Sequence, residues 1–288
     1  MTAAVLLVTA LSGCGAPLDV DMTRATCGLE AGDTSWIGRR LKEPDLRRYQ
    51  QLDELTGVIT EDCAAAIGDD LSIRLESFEE DAPRPVEAIE TPYDVLIAGA
   101  YFLMAGDVGD VVADPIFPEV LRDEVVEARE EYGAGSLGGG ASIYLLLADR
   151  VRKTRYKPSM DAHGSWSALN RLSLSDSKLA EPLYIAALLT HEVTHDRARH
   201  DWKCEEDGLL RGCDKDTNGA TAAGIAYAYA ALQRLPADEV DWIDYGAACV
   251  NAVALLETTC PEIRDHQGYE PCDPIPDFTV VCAVVDPE

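Results

Sequence analysis

Residues 182–195 read Pro182-Leu183-Tyr184-Ile185-Ala186-Ala187-Leu188-Leu189-Thr190-His191-Glu192-Val193-Thr194-His195. No charge interrupts the first nine positions, Pro182 suits the first turn of a helix, and Asp176 or Ser177 can cap it. A helix this apolar on every side is expected to be deeply buried. It runs directly into His-Glu-x-x-His. At 3.6 residues per turn His191 and His195 share one face a turn apart, so their ring nitrogens can converge on a single tetrahedral Zn²⁺. Glu192 stands beside the first of them, placed to take a proton from an attacking water. Residue types in this order point to metal-assisted hydrolysis of an amide.

Just upstream, Leu169-Asn170-Arg171-Leu172-Ser173-Leu174-Ser175 alternates apolar with polar residues and predicts a strand. Further towards the N-terminus the pattern is helical. Leu41, Leu46, Tyr49, Leu52 and Leu55 recur at helical spacing, and Val58, Ile59, Cys63 and Ile67 continue it in a second amphipathic run. The acidic loop Glu79-Glu80-Asp81-Ala82-Pro83-Arg84-Pro85 marks a weak break. After it come an apolar helix over 92–105 and an acidic amphipathic helix over 118–131. Gly133-Ala134-Gly135-Ser136-Leu137-Gly138 matches GxGxxG, but a charged helix precedes it where a dinucleotide site needs a strand, so it reads as a flexible loop. Ile143 to Leu147 forms a short buried segment, and Arg150 to Lys157 a basic patch read as solvated loop.

Composition sets outer limits. In 288 residues there are 52 acidic against 24 basic side chains and a formal charge of −28, so a nucleic-acid partner is excluded on electrostatic grounds. Nine cysteines stand at 14, 27, 63, 204, 213, 249, 260, 272 and 282. Removing Cys14 leaves an even set, which fits disulfides in an oxidising compartment. Short separations invite local pairs, Cys204 with Cys213 among them. The apolar run Ala3 to Leu11 is about half of what a membrane span requires.

Two family resemblances extend this reading. Leu11-Ser12-Gly13-Cys14 resembles the lipobox of bacterial lipoproteins, which implies residues 1–13 as signal peptide, Cys14 as the lipidated first mature residue, and 14–35 as a tether. Gly15 resembles the class not retained at the inner membrane, which implies anchoring to the outer membrane, facing the periplasm or the cell surface. Residues 169–201 resemble the strand and active-site helix of the zincin metallopeptidases. That resemblance implies an edge strand beside the substrate, Zn²⁺ on His191 and His195, Glu192 as base, and a peptide or protein as substrate. Asp196 and Arg197 differ from the zincin pattern, which has an uncharged and then a hydrophobic residue there.

The third ligand is open among three residues. His200 would point about 180° from His191 on a continuing helix, so it can bind only if the helix stops by about residue 197. Asp201 holds the place where the metzincins among the zincins put their third ligand, although their glycine is Ala198 here. Asp214 precedes a small-residue helix over 220–235, whose alanines and Gly224 allow close approach to the motif helix. Asp216 is its neighbouring substitute. A Cys204–Cys213 disulfide would staple the segment between His200 and Asp214. Asp196 reads as orienting a histidine N–H or as solvated, Tyr227 and Tyr229 as core packing, and His163 and His266 as isolated.

The expectation is therefore an α+β, predominantly helical protein, with a zincin-like active-site helix and a short sheet. Residues 36–288 form the zincin-like domain, divided into a helical part (36–132) and a metal-site part (133–288). Zinc-dependent peptide hydrolysis at the cell envelope is the expected function, with the membrane as a partner through the N-terminal lipid. The alternative is a non-catalytic metal-binding or structural envelope lipoprotein.

Overall fold

The computed structural model describes residues 18–29, 58–78, 83–87, 91–158, 160, 164–175, 182–198, 202–206, 209–213 and 218–234. Their elements run α1 (Val20–Thr26), α2 (Glu61–Asp70), α3 (Pro92–Ala105), α4 (Glu119–Glu131), α5 (Gly139–Arg150), β1 (Lys153–Tyr156), β2 (Gly164–Ser167), β3 (Arg171–Leu174), α6 (Pro182–Thr194), β4 (Trp202–Glu206), β5 (Leu209–Cys213) and α7 (Ala220–Arg234). The class is α+β and mostly helical. No helix among these residues is long and apolar enough to cross a membrane. Residues 1–13, Cys14, and the helical run from Leu41 to Leu55 lie outside the described residues, as do His163, His266 and the cysteines from Cys249 onward.

Helix α3 is the centre of the core. Every residue from Tyr93 to Ala105 is buried, and α2, α5 and α6 pack around it. Its start is specified locally. Thr91 Oγ1 accepts from the Asp94 N–H, and the Asp94 carboxylate accepts from the Thr91 N–H, a reciprocal capping box with Pro92 in the first turn. Arg84 Nη2 donates to the same Asp94 oxygen at 2.7 Å and supplies a counter-charge for a carboxylate with no exposure.

The sheet has the order β1-β3-β2, with β1 parallel and β2 antiparallel to β3. The predicted strand at 169–175 is thus the central one, β3. The turn before it uses Asn170 at φ 52, a left-handed conformation that asparagine tolerates. On the outer side of β1, the Thr154 N–H donates to the Ser72 carbonyl and the Arg74 N–H to the Thr154 carbonyl, so that edge is covered by the chain leaving α2. The opposite edge, β2, lies against α6.

Three expectations change in the light of these elements. Arg150 to Lys157 is not a solvated loop, because Lys153–Tyr156 pairs residue by residue with β3. Within the stretch expected as a tether, Val20–Thr26 is a helix with Val20, Thr23 and Arg24 buried, and Cys27 is disulfide-bonded to Cys63 on α2. This part of the stretch is therefore fastened to the core. The edge strand beside the motif helix is Gly164–Ser167 rather than 169–175, since β3 has a partner on both sides. The GxGxxG segment joins α4 to α5 with no strand before it, as its sequence context predicts.

Candidate metal centre

Helix α6 places the motif at its own C-terminal end. Ile185, Ala186, Leu189 and Val193 are buried in the core. The motif's polar neighbours are buried too, and satisfied within the helix: Thr190 Oγ1 donates to the Ala186 carbonyl at 2.9 Å and Thr194 Oγ1 to the Thr190 carbonyl at 2.8 Å. His191 and His195 lie on the half-exposed face. Their Nε2 atoms are 3.0 Å apart, with the rings nearly perpendicular at 89°. Two nitrogens on one tetrahedral zinc, bonded at about 2.0–2.1 Å, stand about 3.3 Å apart, so the pair needs little adjustment to share a metal ion.

A backbone carbonyl orients the second ring. His195 Nδ1 lies 2.8 Å from the Ala198 carbonyl oxygen, an acceptor only, so Nδ1 carries the proton and Nε2 presents its lone pair towards His191. At His195 this place is taken by the carbonyl rather than by Asp196, whose carboxylate lies 3.7 Å from Arg150 Nε on α5. The helix ends at Thr194, and bonds from the N–H groups of His195, Asp196 and Arg197 to carbonyls three residues back tighten the exit. The condition that His200 places on the helix, a stop by residue 197, is met. Ala198 is not among the described residues with positive φ, so its backbone makes no demand for glycine.

Glu192 is 2% exposed and sits beneath β2, where it accepts a hydrogen bond from the Trp166 backbone N–H. Burial pushes its carboxyl up to about 8, against the smaller opposing effect of that N–H. A cation on the adjacent histidines would pull it back down. Strand and carboxylate fit because position 164 is glycine: a Cβ there would stand 2.5 Å from Glu192 Oε1 and 3.1 Å from Leu188 Cδ1. Glu192 Oε2 and Trp166 Nε1 are buried with no hydrogen-bond partner among the described residues. The two converging nitrogens make a donor pair that suits a zinc ion, and the residue between them in sequence and next to the first, Glu192, keeps one buried carboxylate oxygen without a partner among the described residues.

Helix α7 forms the far wall. A Cβ on Gly224 would meet the Ala187 carbonyl oxygen at 2.9 Å and His191 Cβ at 3.3 Å, so the close approach expected from its small residues is observed. Asn218, just before α7, accepts from the Val120 N–H at 2.9 Å and ties this approach to the start of α4. Tyr227 is core, as its sequence context predicts, with its hydroxyl 3.3 Å from the Phe102 carbonyl. The Tyr229 side chain lies outside the described residues.

The structure therefore brings the His191 and His195 rings together and buries the Glu192 carboxylate under β2. Of the remaining predicted residues, His200, Asp201, Asp214 and Asp216 lie outside the described residues. Cys204 and Cys213 stand on the paired strands β4 and β5, in register with Arg211 and Trp202 respectively. Among the described residues no group of three or more His, Cys, Asp or Glu side chains is placed to hold a metal. Sequence reasoning missed Gly164, Trp166 and Ala198. Only a glycine two residues before a tryptophan hinted at the first two, and the last contributes nothing but a carbonyl. No family model, curated protein or solved structure matches this chain.

Proposed function

We propose that this chain is a zincin-like, zinc-dependent peptidase of the bacterial cell envelope, anchored by a lipid on Cys14. The observation that carries the reading is the pair of histidine nitrogens 3.0 Å apart, with Glu192 buried next to them under an edge strand. His191 and His195 hold the metal, and His200, or else Asp214 or Asp201, completes the set. A zinc ion held by these residues would supply Lewis-acid chemistry, polarising a carbonyl and lowering the pKa of water towards neutrality.

Glu192 then takes the proton of the attacking water and delivers it to the leaving amine. Its position in sequence next to the first histidine, with a single backbone donor on it, suits a carboxylate that accepts a proton and passes it on. The Trp166 N–H fixes one part of the carboxylate while Oε2 stays open to the reaction.

The test is the zinc-to-protein ratio of the chain exported to an oxidising compartment, measured by elemental mass spectrometry beside its His191→Ala variant. A ratio near one that collapses in the variant supports the site. Hydrolysis of a peptide library by the parent but not by Glu192→Gln then supports the activity. A ratio near zero in both after zinc is offered overturns the reading.

A further inference from the structure

Asp196 and Arg197, the two positions that differ from the zincin pattern, are the residues that fasten the end of α6 to its neighbours. Arg197 Nη1 donates to Glu127 Oε1 at 3.0 Å and Nη2 to Glu127 Oε2, a two-pronged pair across 70 residues of sequence. Its Nε lies 3.2 Å from Oε1 of Glu124, a carboxylate with no exposure. Asp196 faces Arg150, whose Nη2 is in turn 3.9 Å from Glu127. The turn that leaves the motif helix is thus tied to α4 through one side chain and to α5 through the next.

Ala198 follows immediately. Its N–H donates to the Thr194 carbonyl at 2.9 Å, and its own carbonyl turns back to His195 Nδ1 at 2.8 Å. Helix ends fray unless something holds them. Here the hold on Arg197 is also a hold on the next carbonyl, and through it on the imidazole. A planar guanidinium gripping one carboxylate by two bonds, with a second carboxylate at its Nε, fixes direction as well as distance, which an ammonium cannot do.

We propose that Arg197, gripped by Glu127 and flanked by Glu124 of α4, is a positioning residue for His195: it holds the Ala198 carbonyl that sets the ring's orientation and proton position. The proposal rests on the metal-site reading for its consequence, but its mechanism is a property of the metal-free protein. Without the grip, the carbonyl drifts from Nδ1, and the ring adopts a mixture of tautomers and orientations. Metal affinity then falls with no ligand removed.

The experiment uses the full chain and the variants Arg197→Met, Arg197→Lys and, as a control, Tyr144→Phe, which deletes a hydroxyl on α5 bonded at 3.0 Å to Asp70 of α2. Long-range ¹H–¹⁵N spectra of the zinc-free protein at about pH 8 read the His195 tautomer, and competition with a chromophoric chelator reads zinc affinity. The expected result is a pure Nδ1–H form in the parent and a mixture in Arg197→Met. Zinc affinity drops about 10- to 100-fold in that variant, the usual effect of losing a ligand's supporting partner. Arg197→Lys falls between the two, and Tyr144→Phe is unchanged in both readings.

An unaltered tautomer and affinity in Arg197→Met overturns the proposal, as does an equal loss in Tyr144→Phe. Should Arg197→Met not fold, parent-like readings in Arg197→Lys overturn it, and a tautomer mixture in Arg197→Lys supports it. A parent that binds no zinc but whose tautomer still shifts on substitution supports the positioning role and overturns the zinc reading instead.

Discussion

Asp94 and Glu192 are both buried carboxylates on helices packed against each other, and the protein treats them in opposite ways. Asp94 sits in the first turn of α3, where the helix end favours negative charge. One of its oxygens accepts from the Thr91 N–H, the Thr91 hydroxyl and Arg84. Glu192 sits near the other end of α6, where the helix dipole is unfavourable to an anion. It accepts from one backbone N–H and has an oxygen with no partner among the described residues. The other Asp94 oxygen, Oδ1, also has no hydrogen-bond partner among the described residues, so the contrast lies in what faces Oδ2: three donors, one of them a guanidinium, against the single backbone N–H at Glu192. That difference in donors and counter-charge separates scaffold from candidate site.

The sharpest way to break this comparison is to remove each carboxylate in turn. Asp94→Ala deletes the capping box and abandons Arg84, and should cost about 2–4 kcal/mol of folding stability. Glu192→Gln, with no structural partner but Trp166, should change stability by less than about 1 kcal/mol and lower peptide hydrolysis by roughly 10²- to 10⁴-fold. Urea melts of both variants at one pH, beside initial rates, decide the matter. A large stability loss in Glu192→Gln would place Glu192 with the scaffold.

Glu124 is a third buried carboxylate and stands between these two cases, with Arg197 beside it but neither oxygen in a hydrogen bond among the described residues. Burial and the nearby Asp196 raise its pKa from 4.5 to about 7, outweighing Arg197 and Arg150. The folded protein therefore binds more protons than the unfolded chain between those values. Its contribution to stability is full below about pH 4.5, falls as pH rises towards 7, and is level above. The ceiling is about 3 kcal/mol, and the half-exposed guanidinium nearby should reduce the observed fall to about 2. Stability of Glu124→Gln should lack this slope. A parent curve that is level between pH 5 and 7 and falls only below about pH 4.5, with no such fall in Glu124→Gln, would show the carboxylate to be stabilised by Arg197 after all.

Much of this arrangement is written in local sequence. The capping residues at Thr91 and Pro92, the unbroken apolar run of α6 and the small residues of α7 each determine their element within a few positions, and the structure follows them. The HExxH spacing likewise forces two imidazoles onto one helical face. Other features depend on partners remote in sequence. Glu127 and Arg197 are 70 residues apart, and nothing local to either names the other as its partner. The disulfide from Cys27 to Cys63 spans 36 residues and has no local signature. Strand β2 escaped because Gly164-Ser165-Trp166-Ser167 has too little apolar alternation to mark a strand, and its partial burial depends on packing against β3 and α6.

That short strand also offers the mildest probe of the comparison between scaffold and site. Gly164→Ala adds a single methyl, whose carbon would stand 2.5 Å from Glu192 Oε1. The nearest neighbour is the tip of a side chain rather than backbone, so the fold can absorb the change by swinging the carboxylate aside, at a cost of about 1 kcal/mol. At a supporting strand that would be the whole effect. At a proton-transfer site it is not, because a displacement of about 1 Å can lower a rate by roughly 10²-fold without touching the metal. The expected result is a melting curve close to the parent's, an unchanged zinc ratio and hydrolysis down at least tenfold, carried by kcat rather than KM. A variant that hydrolyses as fast as the parent would mean that the position of Glu192 under β2 is a packing detail, and that the base of the reaction lies elsewhere.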